Sequence, residues 1–365
     1  MSRKLSVKEK NTLLLLGQDI RIGAKTFKKI IHHYRKDLSD ILSDSSKRME
    51  RFLDPNTIQA IIEARNGKLP KDVFKNYQIK TIFLGDEKYP KMLSEIYDPP
   101  VILYCRGDID LLNTLSIAIV GSRKHTYYSR IVLEKIIPQL VQAGVTVLSG
   151  LALGVDGLAH YLTLENSGKT VGVLGCGVES IYPTSNKTLG ERILGNEGLI
   201  ISEFPPGTPP FKQNFPLRNR IIAGISVGTL VVEAKYDSGS LITAGLAAEF
   251  GREVFAAPGN IDNFASEGCN QLIKQGGKLV TSVEDIFSEL RIKGISDDMI
   301  KIPQPENKEE EVIFKILQNG ALPVDKIAKS TNLDIVALNS LLTMMEISGK
   351  VERVGQGNYR LKNLK

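Results

Sequence analysis

The sequence predicts an α/β protein: a doubly wound parallel sheet of roughly seven strands, preceded by a small helical domain and followed by a winged helix. Three observations carry that prediction. Short β-branched runs recur about every 25 to 30 residues from Ile117 onward, the stretches between them have helical apolar spacing with glycine stops, and both flanks lose the strand pattern.

Residues 1–75 read as the helical domain. Within it, LLLLGQDIRIGAKTFKKIIHHY (13–34) sets Leu15, Ile22, Phe27, Ile30 and Ile31 along an apolar stripe, with Gly17 and Gly23 flanking a turn. Residues 76–298 are the sheet-bearing domain. It opens with a connecting unit (78–108) punctuated by Tyr89-Pro90 and Pro99-Pro100. The strand runs are SIAIVG (116–121), VTVLSG (145–150), TVGVLGCG (170–177), LIISEF (199–204), GTLVVEA (228–234), EVFAAPG (253–259) and KLVTS (278–282). Runs this short and apolar suit strands buried on both faces. Between them, RIVLEKIIPQLVQAG, GLAHYLTLENSG, RIIAGIS and LITAGLAAEFG have helical spacing. Residues 299–311 are polar and proline-containing, as linkers are. Residues 312–365 give three short helices and two strands about a glycine-containing turn, a winged helix. Its third helix, DIVALNSLLTMMEISG, has no Arg or Lys before Lys350, which favours a protein contact or a weak DNA role.

The 365 residues are 42% apolar and 24% charged, so a sizeable core is expected. No apolar run reaches the roughly 18 residues of a membrane span. The N-terminus MSRKLSVKEKN lacks a signal peptide's apolar stretch, and a cytoplasmic protein with no membrane insertion is expected. Cys105, Cys176 and Cys269 fit neither a disulfide framework nor a zinc set and read as buried small residues. With only His32, His33, His125 and His160 besides, no metal site is expected. Net charge is +6, but residues 1–80 carry 18 Lys/Arg against 9 Asp/Glu, or +9, leaving −3 for the rest. A basic arm of this kind favours a polyanionic partner.

In a doubly wound sheet, ligands lie beyond the carboxyl ends of the strands. Four loops there, GSRKHTYYS (121–129), SGLALGVDGLAH (149–160), EFPPGTPPFKQNFPLRNR (203–220) and AKYDSGSLITAG (234–245), offer Gly, Ser or Thr at a helix start. Three of them add cations: Arg123; Lys212, Arg218 and Arg220; and Lys235. Main-chain N–H groups, hydroxyls and guanidinium forks together describe a phosphate-binding rim. Arg218, Asn219 and Arg220 are read as reinforcing a helix terminus that receives an anion. A dinucleotide site fits poorly: GSRKHT is not GxGxxG, no acidic residue ends the second strand, and GxxxxGK[ST] is missing. No cofactor is expected.

The ordered series GSR (121–123), SGLALGVDGLAH (149–160), LGCGVESIYP (174–183), ISEFPPGTPPFKQNFPLRNRIIAGIS (201–226), VVEAKYDSGSLITAGLAAEFGREVFAAPGNI (231–261) and GCNQLIKQGGKLV (268–280) resembles the DNA-processing protein A family, also called DprA or Smf. The resemblance implies an extended Rossmann-like domain that binds single-stranded DNA by its phosphate backbone, protects incoming strands in natural transformation, loads the RecA recombinase and forms a homodimer. Carried over by motif, it implies a DNA pocket of Gly121, Ser122, Arg123, Ser149, Gly150, Arg218, Asn219 and Arg220, joined by Lys212 and Ser240 and extended by Lys187, with no catalytic residue. RIGAKTFKKI likewise resembles the helix-hairpin-helix and sterile-alpha-motif-like modules at the family's N-terminus.

Other readings of the same residues stand beside this one. Arg218 and Arg220 are also placed to pair with Glu203 or Glu233. Asp156 sits where a helix N-cap is expected, Ser238 and Ser240 read equally as caps, and Gly154 and His160 read as turn and packing residues. Base stacking in a single-strand groove would fall to Tyr127, Tyr128, Phe211 or Phe215. The rival function is a nucleotide phosphoribohydrolase of the LOG group. Against its PGGxGTxxE motif, GISVGTLVVE (224–233) puts Val232 where the catalytic glutamate belongs, with Glu233 one residue on. A third reading is a protein adaptor acting through the flanking helices.

Overall fold

The seven runs become seven parallel strands of one nine-stranded sheet in the computed structural model, which describes residues 5–19, 21–292, 305–317, 321–331, 333–348, 350–354 and 357–361. Ahead of them stand α1 (Val7–Leu16), α2 (Ala24–His33), α3 (Ser46–Met49), α4 (Pro55–Arg65), α5 (Lys71–Asn76), β1 (Lys80–Phe83), α6 (Lys91–Ser94) and β2 (Ile102–Gly107). The parallel strands are β3 (Ser116–Val120), β4 (Thr146–Ser149), β5 (Thr170–Val173), β6 (Leu199–Ser202), β7 (Gly228–Val231), β8 (Glu253–Ala256) and β9 (Lys278–Leu279). They are followed in turn by α7 (Tyr127–Gln142), α8 (Val155–Glu165), α9 (Lys187–Gly195), α10 (Asn214–Ile225), α11 (Gly239–Glu249), α12 (Glu267–Lys274) and α13 (Val283–Leu290).

Across the sheet the order is β1-β2-β6-β5-β4-β3-β7-β8-β9. From β3 the chain winds out through β4, β5 and β6, then crosses back to place β7 on the other side of β3. Strands β1 and β2 arise from the connecting unit and extend the sheet in antiparallel sense beyond β6. Ile102, Leu103, Tyr104 and Cys105 are all buried, and β6 offers the free edge that pairs them.

One face of the sheet packs Ile221 and Ile222 of α10, Ala244 of α11 and Cys269 of α12. The other packs Leu133, Ile136 and Leu140 of α7 and Phe287 of α13. The N-terminal helices bury Leu13, Leu16, Ile30, Ile41, Met49 and Ile61 in one apolar cluster with Ile102, Tyr104 and Ile200 of the sheet. Because that core is shared, Met1–Lys293 groups as a single compact unit. Cys105, Cys176 and Cys269 are free thiols, all buried. Among the described residues, no helix is long and apolar enough to cross a membrane.

The described residues of the second unit, Gly294–Lys365, form the winged helix. It comprises α14 (Lys308–Leu317), β10 (Leu322–Pro323), α15 (Val324–Thr331), α16 (Ile335–Ile347), β11 (Val351–Val354) and β12 (Asn358–Leu361), around Ile313, Phe314, Ile327, Leu338, Leu342 and Tyr359. Helix α14 begins at Lys308, inside the 299–311 stretch read as linker, of which 299–304 lie outside the described residues. Asn307 Oδ1 accepts from Glu310 N at 2.8 Å, and Glu309, Glu310 and Glu311 suit the positive end of the helix. Lys350 is buried and pairs with Glu310 at 2.8 Å and Glu306 at 2.9 Å, so it faces the unit's interior.

Candidate nucleic-acid interface

The strand order reverses at β3, and the crevice that this opens lies beyond the carboxyl ends of β4, β3 and β7. One buried carboxylate shapes its floor. Glu233, just past β7, accepts from Thr126 N at 2.7 Å, from Thr126 Oγ1 at 2.7 Å and from Ser129 Oγ. Its main-chain carbonyl accepts from Ser122 N at 2.7 Å. A carboxylate here also satisfies the N-terminus of α7, and the loop 121–126 is thereby clamped to β7. Glycines close the other side. At Gly154, with φ of 81°, a Cβ would come within 2.2 Å of Ser122 O, and at Gly121 one would meet Val155 Cγ2 at 2.7 Å.

Arg218, Asn219 and Arg220 do not stand at a helix terminus, because α10 starts four residues earlier at Asn214. Pro216 falls in the first turn, where a missing N–H costs nothing, so the proline that seemed to precede the helix belongs to it. Arg218 is buried, 4% exposed. Its Nη1 donates to Gly150 O at 2.6 Å and to Val173 O, and its Nε to Asn219 Oδ1 at 3.2 Å. Burial pulls its pKa down to about 10, Asp156 works the other way, and the group stays charged at neutral pH.

Asp156 is not the cap of α8. Gly154 holds that position, and Asp156 lies buried in the first turn, its Oδ2 accepting from Gly150 N at 3.1 Å. Burial raises its carboxyl pKa, while Arg218 opposes the rise. Gly150 is thus gripped on both sides, N–H by Asp156 and C=O by Arg218. A Cβ on Gly150 would sit 2.5 Å from Arg218 Nη1.

The remaining predicted residues divide between inward and outward roles. Arg220 is held by Glu203 in a two-pronged pair, both contacts 2.6 Å, and donates to Asp98 O at 3.0 Å. Its charge is therefore already neutralised by a neighbour. The Ser149 hydroxyl is buried and donates to Ile119 O at 2.6 Å. Ser238 caps α11, with its Oγ 2.8 Å from that of the buried Ser240, and Asn219 Nδ2 reaches Gly239 O at 3.4 Å. Ser122 Oγ accepts from Lys124 N at 3.1 Å. Arg123, Lys187 and Lys212 are exposed, and none forms an ion pair among the described residues.

Of these outward groups, Arg123 adjoins an aromatic centre. The Arg123 guanidinium lies 5.9 Å from the Phe215 ring centroid, that of Arg218 lies 6.0 Å from it, and the Tyr182 ring is 5.6 Å away. Of the other aromatic candidates, Tyr127 and Phe211 are exposed, whereas Tyr128 donates to Pro258 O. The sequence reading did not include Tyr182. Its signal was available: an aromatic in a strand-end loop, five residues before Lys187. Asn186, also overlooked, donates to Leu151 O at 2.9 Å and Ala152 O at 3.0 Å, binding the loops after β4 and β5 together.

The geometry gives no proton-transfer apparatus to His160 or Glu233. His160 is fully buried with Nδ1 2.6 Å from Thr170 Oγ1. Thr170 donates its own proton to Val147 O, so Nδ1 carries the hydrogen and Nε2 is the unpartnered atom. Burial holds its pKa down at about 3. Glu233, the nearest residue to a phosphoribohydrolase's glutamate, is fully buried with both oxygens engaged. What the crevice presents outward is cation, ring and main chain, a combination suited to a phosphodiester with a base beside it.

A family profile described as "DNA recombination-mediator protein A" matches residues 80–291, and one for the DprA winged helix domain matches residues 301–357. The chain is 48% identical over 204 residues to the DNA processing protein DprA of Streptococcus pneumoniae, covering 56% of this chain and 72% of that one. It is 39% identical over 289 residues to Protein Smf of Escherichia coli, covering 76% of each. Among solved structures, it superimposes on DNA processing protein A from Streptococcus pneumoniae with a TM-score of 0.64 and 37% identity, over 79% of this chain and 99% of that one. A structure of DNA processing protein A from Helicobacter pylori, described for its single-stranded DNA binding mode, matches with a TM-score of 0.53 and 32% identity, over 60% and 98%.

Proposed function

The chain belongs to the DNA recombination-mediator protein A family, and on that premise we propose that it binds single-stranded DNA through its phosphates in the crevice around Phe215, without catalysis, and loads RecA recombinase onto the strand it protects. The observation that carries the reading is Arg123: exposed, without an ion pair among the described residues, and set over an aromatic ring. Arg123, Lys187 and Lys212 contact phosphates, and Phe215 and Tyr182 receive bases. Gly121, Ser122 and Asn219 form the rim, with the buried Gly150 and Ser240 shaping it from beneath. Ser149, Arg218 and Arg220 support it from within, since their polar groups are engaged by the protein itself.

Single-strand preference follows from a site built of phosphate and ring contacts with no element shaped for a duplex groove. RecA loading rests on family membership. A homodimer is proposed through the sheet, whose β9 edge, Lys278–Leu279, has no outer partner among the described residues and exposes Leu279. For the winged helix a protein contact is proposed, because α16 exposes Val336, Met344 and Ile347 and contains no Lys or Arg.

Affinity for single-stranded and duplex oligonucleotides across salt tests the proposal. With about three phosphates engaged, log K should fall with log salt at a slope near −2. A flat salt profile, or release of base from a nucleoside monophosphate, would contradict it.

A further inference from the structure

Beyond Phe215 the carboxyl edge of the sheet continues over β7 and β8, and large exposed rings continue with it. The loop after β3 leads to Tyr127 (61% exposed), the loop after β7 carries Tyr236 (74%), and the loop after β8 carries Phe264 (71%) beside Ile261 (96%). Neighbouring strands lie about 5 Å apart, so the three loops form successive rungs. Exposed apolar groups gathered along one edge mark an interaction surface.

Charge changes along the same row. The β3 loop has Arg123 and Lys124, the β7 loop sets Lys235 against Asp237, and the β8 loop has Asp262 with no cation from Ala257 to Ser266. Positive charge fades where the rings persist. At the opposite end, beside the loop after β6, the turn between α1 and α2 and residues 203–211 line a half-open cavity of about 480 Å³ with Gly17, Gly23, Phe27, Phe204 and Phe211. The ends of β7 and β8 lie on the other side of β3 from this cavity.

We propose that Tyr236 and Phe264 form a stacking track for bases of the same DNA strand, continuing from the crevice across the ends of β7 and β8. The proposal rests on the crevice being the single-stranded DNA site. On this track the strand is held by its bases alone, whereas in the crevice its phosphates are held as well.

The test compares oligothymidylates of about four and about ten nucleotides, lengths within the range that single-strand grooves span. Both rings are exposed, so a Tyr236→Ala, Phe264→Ala double variant leaves the core untouched. It should lose about ten-fold or more for the long oligonucleotide and less than about two-fold for the short one, with the salt slope of the parent, because no phosphate contact is removed. Tyr236→Phe should restore that position's share. If the double variant binds the long oligonucleotide as the parent does while Arg123→Ala still weakens it, the track is refuted and the patch serves a protein partner. If Arg123→Ala leaves both lengths unchanged, the crevice reading fails and takes the track with it.

Discussion

Two arginines 95 residues apart in the sequence, Arg123 and Arg218, should fail in opposite ways when truncated. Arg218 is buried and donates to Gly150 O, Val173 O and Asn219 Oδ1. Arg218→Ala removes charge-assisted bonds to two buried carbonyls, worth roughly 1.5–3 kcal/mol each, and takes from the buried Asp156 one of the charges that oppose the rise in its pKa, so a loss of about 3–5 kcal/mol is expected. At roughly 2 °C per kcal/mol for a unit of this size, melting followed by circular dichroism should fall by about 6–10 °C. Arg123 donates no side-chain hydrogen bond among the described residues. Arg123→Ala should melt within about 0.5 kcal/mol of the parent, yet bind oligothymidylate about ten-fold more weakly, with the salt slope reduced by about 0.7. An Arg218→Ala variant melting with the parent would refute the buried network. An unstable Arg123→Ala variant with parental affinity would refute the division of labour.

Gly150→Ala places a Cβ 2.5 Å from Arg218 Nη1, so the guanidinium must move and stability should drop by about 1–3 kcal/mol in urea denaturation. Glu233→Gln puts an amide donor against the N–H of Thr126 and the hydroxyls of Thr126 and Ser129. The loop 121–126 should loosen, lowering single-strand affinity several-fold and stability by about 1–3 kcal/mol. His160 titrates near 3 when folded and near 6.5 when unfolded, so below pH 6.5 the unfolded chain gains a proton that the folded one refuses until about pH 3. Stability from this residue is therefore lost as pH falls, by about 2 kcal/mol between pH 7.5 and pH 5. His160→Gln should flatten that limb of the stability profile.

What was legible in the sequence follows from how local each signal is. Strands β3 to β7 announced themselves because burial on both faces forces a continuous β-branched run, as in SIAIV and TVGV, whereas β8 and β9, more exposed toward the sheet edge, were legible from their spacing. Strands β1 and β2 did not, since both are hemmed by turns and prolines, and β2 joins the sheet through an antiparallel pairing with β6 more than 90 residues on. The start of α10 was hidden by prolines that only geometry shows to be tolerated. Arg220 with Glu203 was readable as an option because the two share one loop and helix. The clamps of Glu233 on Thr126 and of Arg218 on Gly150 were not, being separated by 107 and 68 residues. Arg123, by contrast, needed no partner: a cation in a glycine-opened loop after a buried strand is a local pattern, and the structure leaves it exposed.

The most direct test is a crystal structure of the chain with oligothymidylate bound. The account predicts phosphate oxygens within hydrogen-bond reach of the Arg123 guanidinium and a base against the Phe215 ring. DNA resting on the winged helix or the N-terminal lysines, with nothing between Arg123 and Phe215, would contradict it.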